Sequence, residues 1–306
     1  MGMAEPEGVQ REVSLAPYLT IRAGGRAQFF ALVQSRRQLV QLLGWAQREG
    51  LPTWVLGSGS NLLVPDEGVP GLVVKLGRPF QRAVIEGLEL CAGAAARLPS
   101  LAAQAARAGL AGLEFGVSIP GSVGGAVRMN AGAYGGELAQ LLLWVEVATA
   151  QGLERRAAGE LGLSYRRSAL QPGCEVVTVA RLKLRKGDPA EIKARLGELR
   201  RARREAQPVG IKTFGSTFKN PPSGPTAGQL LAACGANGMR VGAARFSPKH
   251  ANFIENLGGA RTAEIVELMA RGRELVRERF GIELEPEVQL LGGKPFPWQR
   301  PNRLQG

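Results

Sequence analysis

GVSIPGSVGGAVRMNAGAYGGE, residues Gly116 to Glu137, carries too many glycines for a helix interior and too few polar side chains for a disordered linker. Gly121, Gly124, Gly125, Gly132, Gly135 and Gly136 fall among Ser122, Asn130 and small apolar residues. Glycine has no Cβ and accepts positive φ, so it lets backbone approach a ligand closely. Successive exposed N–H groups form anion-binding nests. The stretch suits a backbone-lined slot for a phosphorylated cofactor; the same residues suit tight turns between strands.

On its N-terminal side, residues 1–14 read as a mobile tail and Gln28–Val33 as a short strand. Ser35 stands where it can cap a helix through about Glu49, with Leu39, Leu42, Leu43 and Ala46 on one face. Pro52–Leu56 is a buried-type strand that runs into Gly57-Ser58-Gly59-Ser60-Asn61, and Leu72–Leu76 is another strand. Strand, helix, strand and glycine loop make an α/β unit. The loop is not a dinucleotide fingerprint: that motif needs glycine where Leu62 stands, and Pro65 and Gly68 oppose the helix that should follow. Ser58 and Ser60 suit phosphate contacts, and a plain turn is the competing reading. Arg82–Ile85 and Leu88–Ala92 bracket Glu86-Gly87 as a hairpin, and Ala94–Ala108 is an alanine-rich helix.

On the C-terminal side, Leu141–Thr149 and Glu175–Leu184 read as strands, and Gly187-Asp188-Pro189 opens a charged helix to about Ala206. A domain boundary is expected between residues 187 and 207. Beyond it, Ala227–Cys234 is a short helix ending at Gly235. Thr262–Phe280 is a strongly amphipathic helix, with Ile265, Val266, Leu268, Met269, Leu275 and Val276 near one face. Leu284–Leu290 is the last strand, and 294–306 a proline-rich basic tail.

The chain has 306 residues, 44% hydrophobic and 21% charged, enough for two domains with a real core. Its net charge of +13 favours anionic partners: nucleic acid, an anionic membrane face or small phosphorylated substrates. The densest cluster, Lys193 to Arg204, is interleaved with acidic residues at helical spacing, which reads as a solvated helix face. Nucleic-acid binding through stacked bases needs aromatic platforms, and only 6% of residues are aromatic, scattered along the chain. Cys91, Cys174 and Cys234 are far apart, and His250 is the single histidine, so neither a disulfide framework nor a metal site is expected. The first 14 residues, acidic and without an apolar core, do not read as a signal peptide; no membrane span is expected, and a reducing, cytoplasmic setting fits.

GSGSNLLV (57–64), IPGSVGGA (119–126), NAGAYG (130–135), YRRS (165–168), GSTFKNP (215–221), SPKHANF (247–253) and LEPEVQLLG (284–292) occur in a particular order. No single motif is decisive, but the ordered series resembles the UDP-N-acetylenolpyruvoylglucosamine reductase (UDP-N-acetylmuramate dehydrogenase) family over about residues 18–291. The resemblance implies an α+β chain: a two-lobed FAD-binding domain of the vanillyl-alcohol-oxidase (PCMH) type plus a smaller C-terminal α/β substrate-binding domain. The implied limits are 15–80 and 81–190 for the lobes and 191–293 for the substrate domain. It implies a flavoenzyme of peptidoglycan precursor synthesis in which NADPH gives a hydride to FAD. The enolpyruvyl double bond of a UDP-sugar then receives it. FAD is expected to be non-covalent, because related flavoproteins attach it through histidine and the single histidine lies in the C-terminal domain. A monomer is expected, with UDP-sugar and NADPH as partners, no nucleic acid and no membrane insertion.

By the same resemblance, Gly57, Ser58, Gly59, Ser60 and Asn61 form one half of the FAD cradle. Ile119, Pro120, Gly121, Ser122, Gly124 and Gly125, with Asn130, Ala131, Gly132, Tyr134 and Gly135, form the other. Ser216 is the implied proton donor, Arg166 the group that grips the substrate carboxylate, and Glu287 a carboxyl that assists the developing anion. Tyr165 and Asn220 are expected close to substrate, and Lys219 facing the UDP pyrophosphate. His250 is expected to be a satisfied structural histidine. The sequence departs from the family where a Trp-bearing helix is usual: here it reads Gly228-Gln229-Leu230-Leu231. The span from Tyr165 to Ser216 is too short for a tyrosine-bearing covering insertion, so the shorter subtype is expected. Another FAD-linked oxidoreductase of the same fold is the alternative, and a basic nucleic-acid-binding protein the alternative from a different class.

Overall fold

Apolar residues at helical spacing behind a serine give a helix where the sequence places one. In the computed structural model, which describes residues 4–292 and 295–299, α1 spans Arg36–Arg48. The Gln38 N–H donates to Ser35 Oγ at 3.1 Å, and Leu39, Leu42, Leu43 and Ala46 are buried together with Trp45. The chain divides into two compact units. The first takes residues up to Arg11, Phe29–Ser58 and Gly71–Arg203; the second takes Glu12–Gln28, Gly59–Pro70 and the chain from Arg204 on. The division at Arg203 falls inside the expected 187–207 boundary, but the second unit also recruits two segments from the N-terminal quarter.

The first unit holds most of one sheet, whose strand order is Val9–Ser14, Arg26–Val33, Val69–Leu76, Thr53–Val55. Residues 9–14 are therefore strand, not the mobile tail read from the sequence; residues 1–3 lie outside the described residues. The second sheet is antiparallel throughout, in the order Gly152–Ala157, Leu142–Thr149, Val176–Lys183, Glu89–Gly93, Ala83–Glu86. The expected hairpin at Glu86-Gly87 is there, shifted by a residue, with Glu86 opposite Glu89. α2 (Leu98–Arg107) begins four residues later than Ala94: Pro99 lies in its first turn, where a missing N–H costs nothing, and the Ala94 N–H donates to Thr178 O across the sheet. Leu98, Leu101, Ala102 and Ala105 of α2 share one core with Leu90, Val145, Val147, Ala180 and Leu182 of the sheet. α3 (Val123–Arg128) and α4 (Pro189–Ala206) complete this unit. The Asp188 carboxylate accepts the Ala190 and Glu191 N–H groups at 2.7 and 3.1 Å at the start of α4.

The second unit has a three-stranded antiparallel sheet, Arg240–Val241, Ala244–Phe246 and Ile254–Asn256, with α5 (Ala227–Ala233) and α6 (Thr262–Phe280). Ile265, Leu268, Met269 and Val276 of α6 are buried, with Val266 and Leu275 at the margins of that face. Gly272 is part of the same face because a Cβ there would lie 2.7 Å from the Phe246 ring. Asp66 explains why residues 59–70 belong here. Its carboxylate accepts the Thr262 and Ala263 N–H groups at 2.8 and 2.9 Å, while Thr262 Oγ1 donates to Val64 O at 2.6 Å. The expected last strand shrinks to Gln289–Leu290, parallel to Leu62–Leu63. Of the expected basic tail, residues 295–299 are described: Phe296 is buried and stacks on Trp298 at 5.2 Å, so this part is packed. Residues 294 and 300–306 lie outside the described residues.

Candidate active site

The glycine-rich stretch folds as a series of short elements. Glu114–Ser118 is a 3-10 turn, α3 follows, and Gly132–Ala133 pairs with Gly136–Glu137 across Tyr134-Gly135, both at positive φ. A helix interior at Gly124 and Gly125 corrects the reading that excluded one. A Cβ at Gly124 would lie 3.2 Å from Ala94 Cβ, so its absence lets α3 sit close to the chain at Ala94. The two glycine loops meet within the first unit: a Cβ at Gly57 would lie 2.7 Å from Ser122 Oγ. Gly121, Gly125 and Gly135 have no neighbour that a Cβ would crowd.

Cations surround these loops. Lys75 Nζ donates to Gly57 O at 2.6 Å, and Arg203, from the last turn of α4, donates to Ser118 O. Arg128, at the end of α3, donates to Ser168 O at 3.2 Å and Ser168 Oγ at 3.3 Å. Partial burial lowers the pKa of Lys75, Arg128 and Arg203 alike.

Asn130 is buried at φ 39° and its amide is used at both ends. Oδ1 accepts the Ala139 N–H at 2.9 Å, and Nδ2 donates to Ser164 O at 3.3 Å. Ser164 and Arg167 exchange backbone hydrogen bonds of 3.1 and 3.0 Å, which makes Tyr165-Arg166 the tip of a tight turn. Arg166 sits there at φ 56°, donates to Gly132 O at 3.1 Å and lies 4.9 Å from the Tyr165 ring. Ser168 Oγ in turn donates to Arg128 O at 2.8 Å. The stretch that reads as a cofactor slot thus also grips both ends of the turn that carries Arg166.

In the second unit three motifs converge on Thr217. Its N–H donates to Asn252 O at 2.8 Å, and its carbonyl accepts the Glu287 N–H at 2.9 Å. Ser216 bridges to Phe253, and Phe218 to Pro286. Ser216 and Glu287 therefore lie on adjacent backbone segments. Asn61 joins them: Nδ2 donates to Glu287 O at 3.1 Å, and its carbonyl accepts the Gln289 N–H at 3.0 Å. A Cβ at Gly215 would lie 3.8 Å from Ser60 O, so the loop from Gly59 to Asn61 borders the Ser216 segment. Gly59 itself, at φ 64°, is required where a Cβ would overlap Tyr18 O at 2.2 Å. Lys219 Nζ pairs with Glu285 at 3.0 Å, and Asn220 Oδ1 accepts the Ala227 N–H at 3.1 Å at the start of α5.

The family described as FAD binding domain matches residues 27–158, and that described as UDP-N-acetylenolpyruvoylglucosamine reductase, C-terminal domain, matches residues 207–291. UDP-N-acetylenolpyruvoylglucosamine reductase 2 of Symbiobacterium thermophilum is 43% identical, over 95% of this chain and 95% of its own. The chain belongs to the UDP-N-acetylenolpyruvoylglucosamine reductase family. The family's enzyme from Gloeobacter violaceus is 46% identical, over 93% of this chain and 96% of its own. The crystal structure of UDP-N-acetylenolpyruvylglucosamine reductase from Thermus caldophilus is 43% identical, with a TM-score of 0.81 over 92% of this chain and 98% of that one. The implied architecture of an FAD-binding domain followed by a separate C-terminal domain therefore holds.

FAD fits the first unit of this reductase-family chain. Its diphosphate needs close backbone and nearby cations; the uncrowded Gly121 and Gly125 flank Ser122, which meets Gly57, while Lys75 reaches Gly57 O and Arg203 reaches Ser118 O. Lys75, Arg128 and Arg203 escape sequence reading because no motif contains Lys75 or Arg203 and each is one cation among many. Among the described residues no cluster of His, Cys, Asp and Glu could hold a metal, and no helix is long and apolar enough to cross a membrane.

Two side chains in the second unit give separate predictions. His250 Nδ1 accepts the Asn252 N–H at 3.2 Å, its ring meets Phe253 edge-on, and burial lowers its pKa below the ordinary 6.5. The unfolded chain then binds a proton that the folded chain refuses. Stability is full above about pH 6.5 and falls as pH drops from there through the lower folded value. His250→Asn is expected to flatten this slope in thermal melts across pH 5–7; an unchanged slope would refute the assignment. Thr217 Oγ1 is fully buried and has no hydrogen-bond partner among the described residues. Because such a hydroxyl costs about 1–3 kcal/mol, Thr217→Val is expected to gain about 1 kcal/mol in denaturant unfolding. A loss of stability would mean that the hydroxyl is satisfied.

Proposed function

We propose that this chain reduces the enolpyruvyl group of UDP-N-acetylglucosamine enolpyruvate to UDP-N-acetylmuramate, with NADPH as reductant and FAD held non-covalently. Bound FAD supplies the hydride chemistry, accepting from the nicotinamide and donating to the alkene. The protein's own task is to hold the charge that develops at the other alkene carbon and to protonate that carbon. The arrangement of Ser216 beside the Glu287 segment, joined through Thr217 O and the Glu287 N–H at 2.9 Å, is the observation that carries the proposal.

Ser216 Oγ is the proton donor in this reading. A hydroxyl is a weak acid in water, but it protonates a strongly basic carbanion when fixed within hydrogen-bond reach. Glu287 stabilises the enolate-like charge by donating from a protonated carboxyl. Arg166 holds the substrate carboxylate, into which that charge delocalises, through two parallel N–H groups. Lys219 at the UDP pyrophosphate would exchange its pairing with Glu285 for a phosphate. Tyr165 shares the turn of Arg166. Asn220, spent on the start of α5, shapes the substrate side of the Ser216 segment. The net charge of +13 suits two polyanionic partners, the UDP-sugar and NADPH.

A titration tests this. The purified protein is expected to be yellow, with flavin released on denaturation. Anaerobic NADPH is expected to bleach it, and the enolpyruvyl UDP-sugar to restore the colour in stoichiometric amount. Recolouring by oxygen but not by the UDP-sugar would replace the reductase reading with an oxidase of the same fold.

A further inference from the structure

A buried asparagine must satisfy an acceptor and two donor hydrogens or lose stability. Asn252, only 3% exposed, uses its acceptor and one donor hydrogen on a single neighbour. Its Oδ1 accepts the Phe218 N–H at 2.9 Å, and its Nδ2 donates to Phe218 O at 2.8 Å. The side-chain amide thus faces the main chain of Phe218 as an adjacent strand would. The Asn252 main-chain carbonyl is used one residue earlier, accepting the Thr217 N–H at 2.8 Å. One residue therefore fixes two consecutive residues immediately after Ser216, and Ser216 itself bridges to the next residue, Phe253. Asn252 is in turn held by its own N–H, which donates to His250 Nδ1 at 3.2 Å. The ladder stops at Phe253–His250, where the Phe253 N–H turns back to His250 O, so a side chain has to extend the pairing that backbone cannot.

We propose that Asn252 is the positioning residue for the Ser216 hydroxyl: the double bond to Phe218 holds the strand segment that carries it. The inference rests on the reading of Ser216 as proton donor. A hydroxyl that is nearly as weak an acid as water has value only when held at hydrogen-bond distance from the receiving carbon, and a displacement of about 1 Å costs about 10²-fold. No shorter or differently charged residue reproduces the contact. Alanine leaves the Phe218 N–H and C=O buried without their partner. Aspartate keeps the acceptor for the N–H but turns an oxygen toward the Phe218 carbonyl.

The test is a double-mutant cycle on the flavin-loaded full chain, with rates scored per bound flavin so that loss of folded protein does not enter. Flavin bleaching by NADPH and recolouring by the enolpyruvyl UDP-sugar are followed separately in wild type, Asn252→Ala, Ser216→Ala and the double variant. Asn252→Ala is expected to leave bleaching within about twofold of wild type and to slow recolouring by about 10². In the Ser216→Ala background the same change is expected to slow recolouring by less than about threefold, because its effect passes through a hydroxyl already removed. Asn252→Asp, nearly isosteric, is expected to show the same selective loss and carries the test if the alanine variant does not retain flavin. Equal effects of Asn252→Ala with and without the Ser216 hydroxyl would overturn the positioning role, as would equal slowing of both half-reactions or wild-type recolouring in either variant. A Ser216→Ala protein that recolours normally would instead remove the proton-donor reading beneath it. The two failures are thus told apart.

Discussion

Ser216→Ala is expected to leave flavin bleaching by NADPH at the wild-type rate and to slow reduction of the enolpyruvyl UDP-sugar by about 10³-fold, within the range that a positioned general acid contributes. The selectivity follows from where the hydroxyl acts. NADPH delivers a hydride and asks for no proton on carbon, so its half-reaction does not need Ser216. The alkene half-reaction leaves a carbanion equivalent that must be protonated. The fold supports the substitution, because Ser216 contributes a main-chain bridge to Phe253, which alanine retains. Stopped-flow absorbance of the bound flavin resolves the two steps. Equal slowing of both would mean that the hydroxyl serves flavin placement instead of protonation.

The sequence made some of this arrangement legible and hid the rest for a physical reason. α1 and α6 follow from local spacing, since their buried faces repeat every three to four residues and their ends carry Ser35 and Gly281. Gly57 reads as a cofactor glycine, and its lack of a Cβ also answers to Ser122, which lies far away in the chain. Gly124 answers to Ala94 in the same way. A glycine shows that something comes close and does not show what. Asn130 is a similar case. It is expected in the cofactor cradle, and both ends of its amide are also used inside the protein, one of them on the turn of Arg166. Thr217 was invisible as a centre because its two partners, Asn252 and Glu287, come from the 247–253 and 284–292 motifs and meet it only through backbone. The ordered motifs marked the segments that matter; which atom of each segment faces its neighbour needed the fold.

Arg166→Lys is expected to lower kcat/KM for the enolpyruvyl UDP-sugar by about 10²-fold while leaving NADPH bleaching unchanged. The expected loss is that of a charge-assisted bidentate contact reduced to a point charge, about 2–3 kcal/mol. Lysine is the informative replacement because it keeps the positive charge and bears the same backbone burden. At φ 56° any residue with a Cβ stands in the left-handed region, so the two side chains differ in reach and planarity alone. The burden itself argues for function. A glycine at this tip would remove it, yet the chain carries arginine there and fixes the turn with Asn130 at Ser164, Arg128 at Ser168 and Gly132 O at the guanidinium. The support thus holds Arg166 in a conformation that glycine would adopt freely. Steady-state kinetics with varied UDP-sugar, paired with the anaerobic bleaching rate, checks the prediction. A lysine variant with wild-type kcat/KM would show that Arg166 supplies only charge, and the carboxylate grip would then have to come from another side chain.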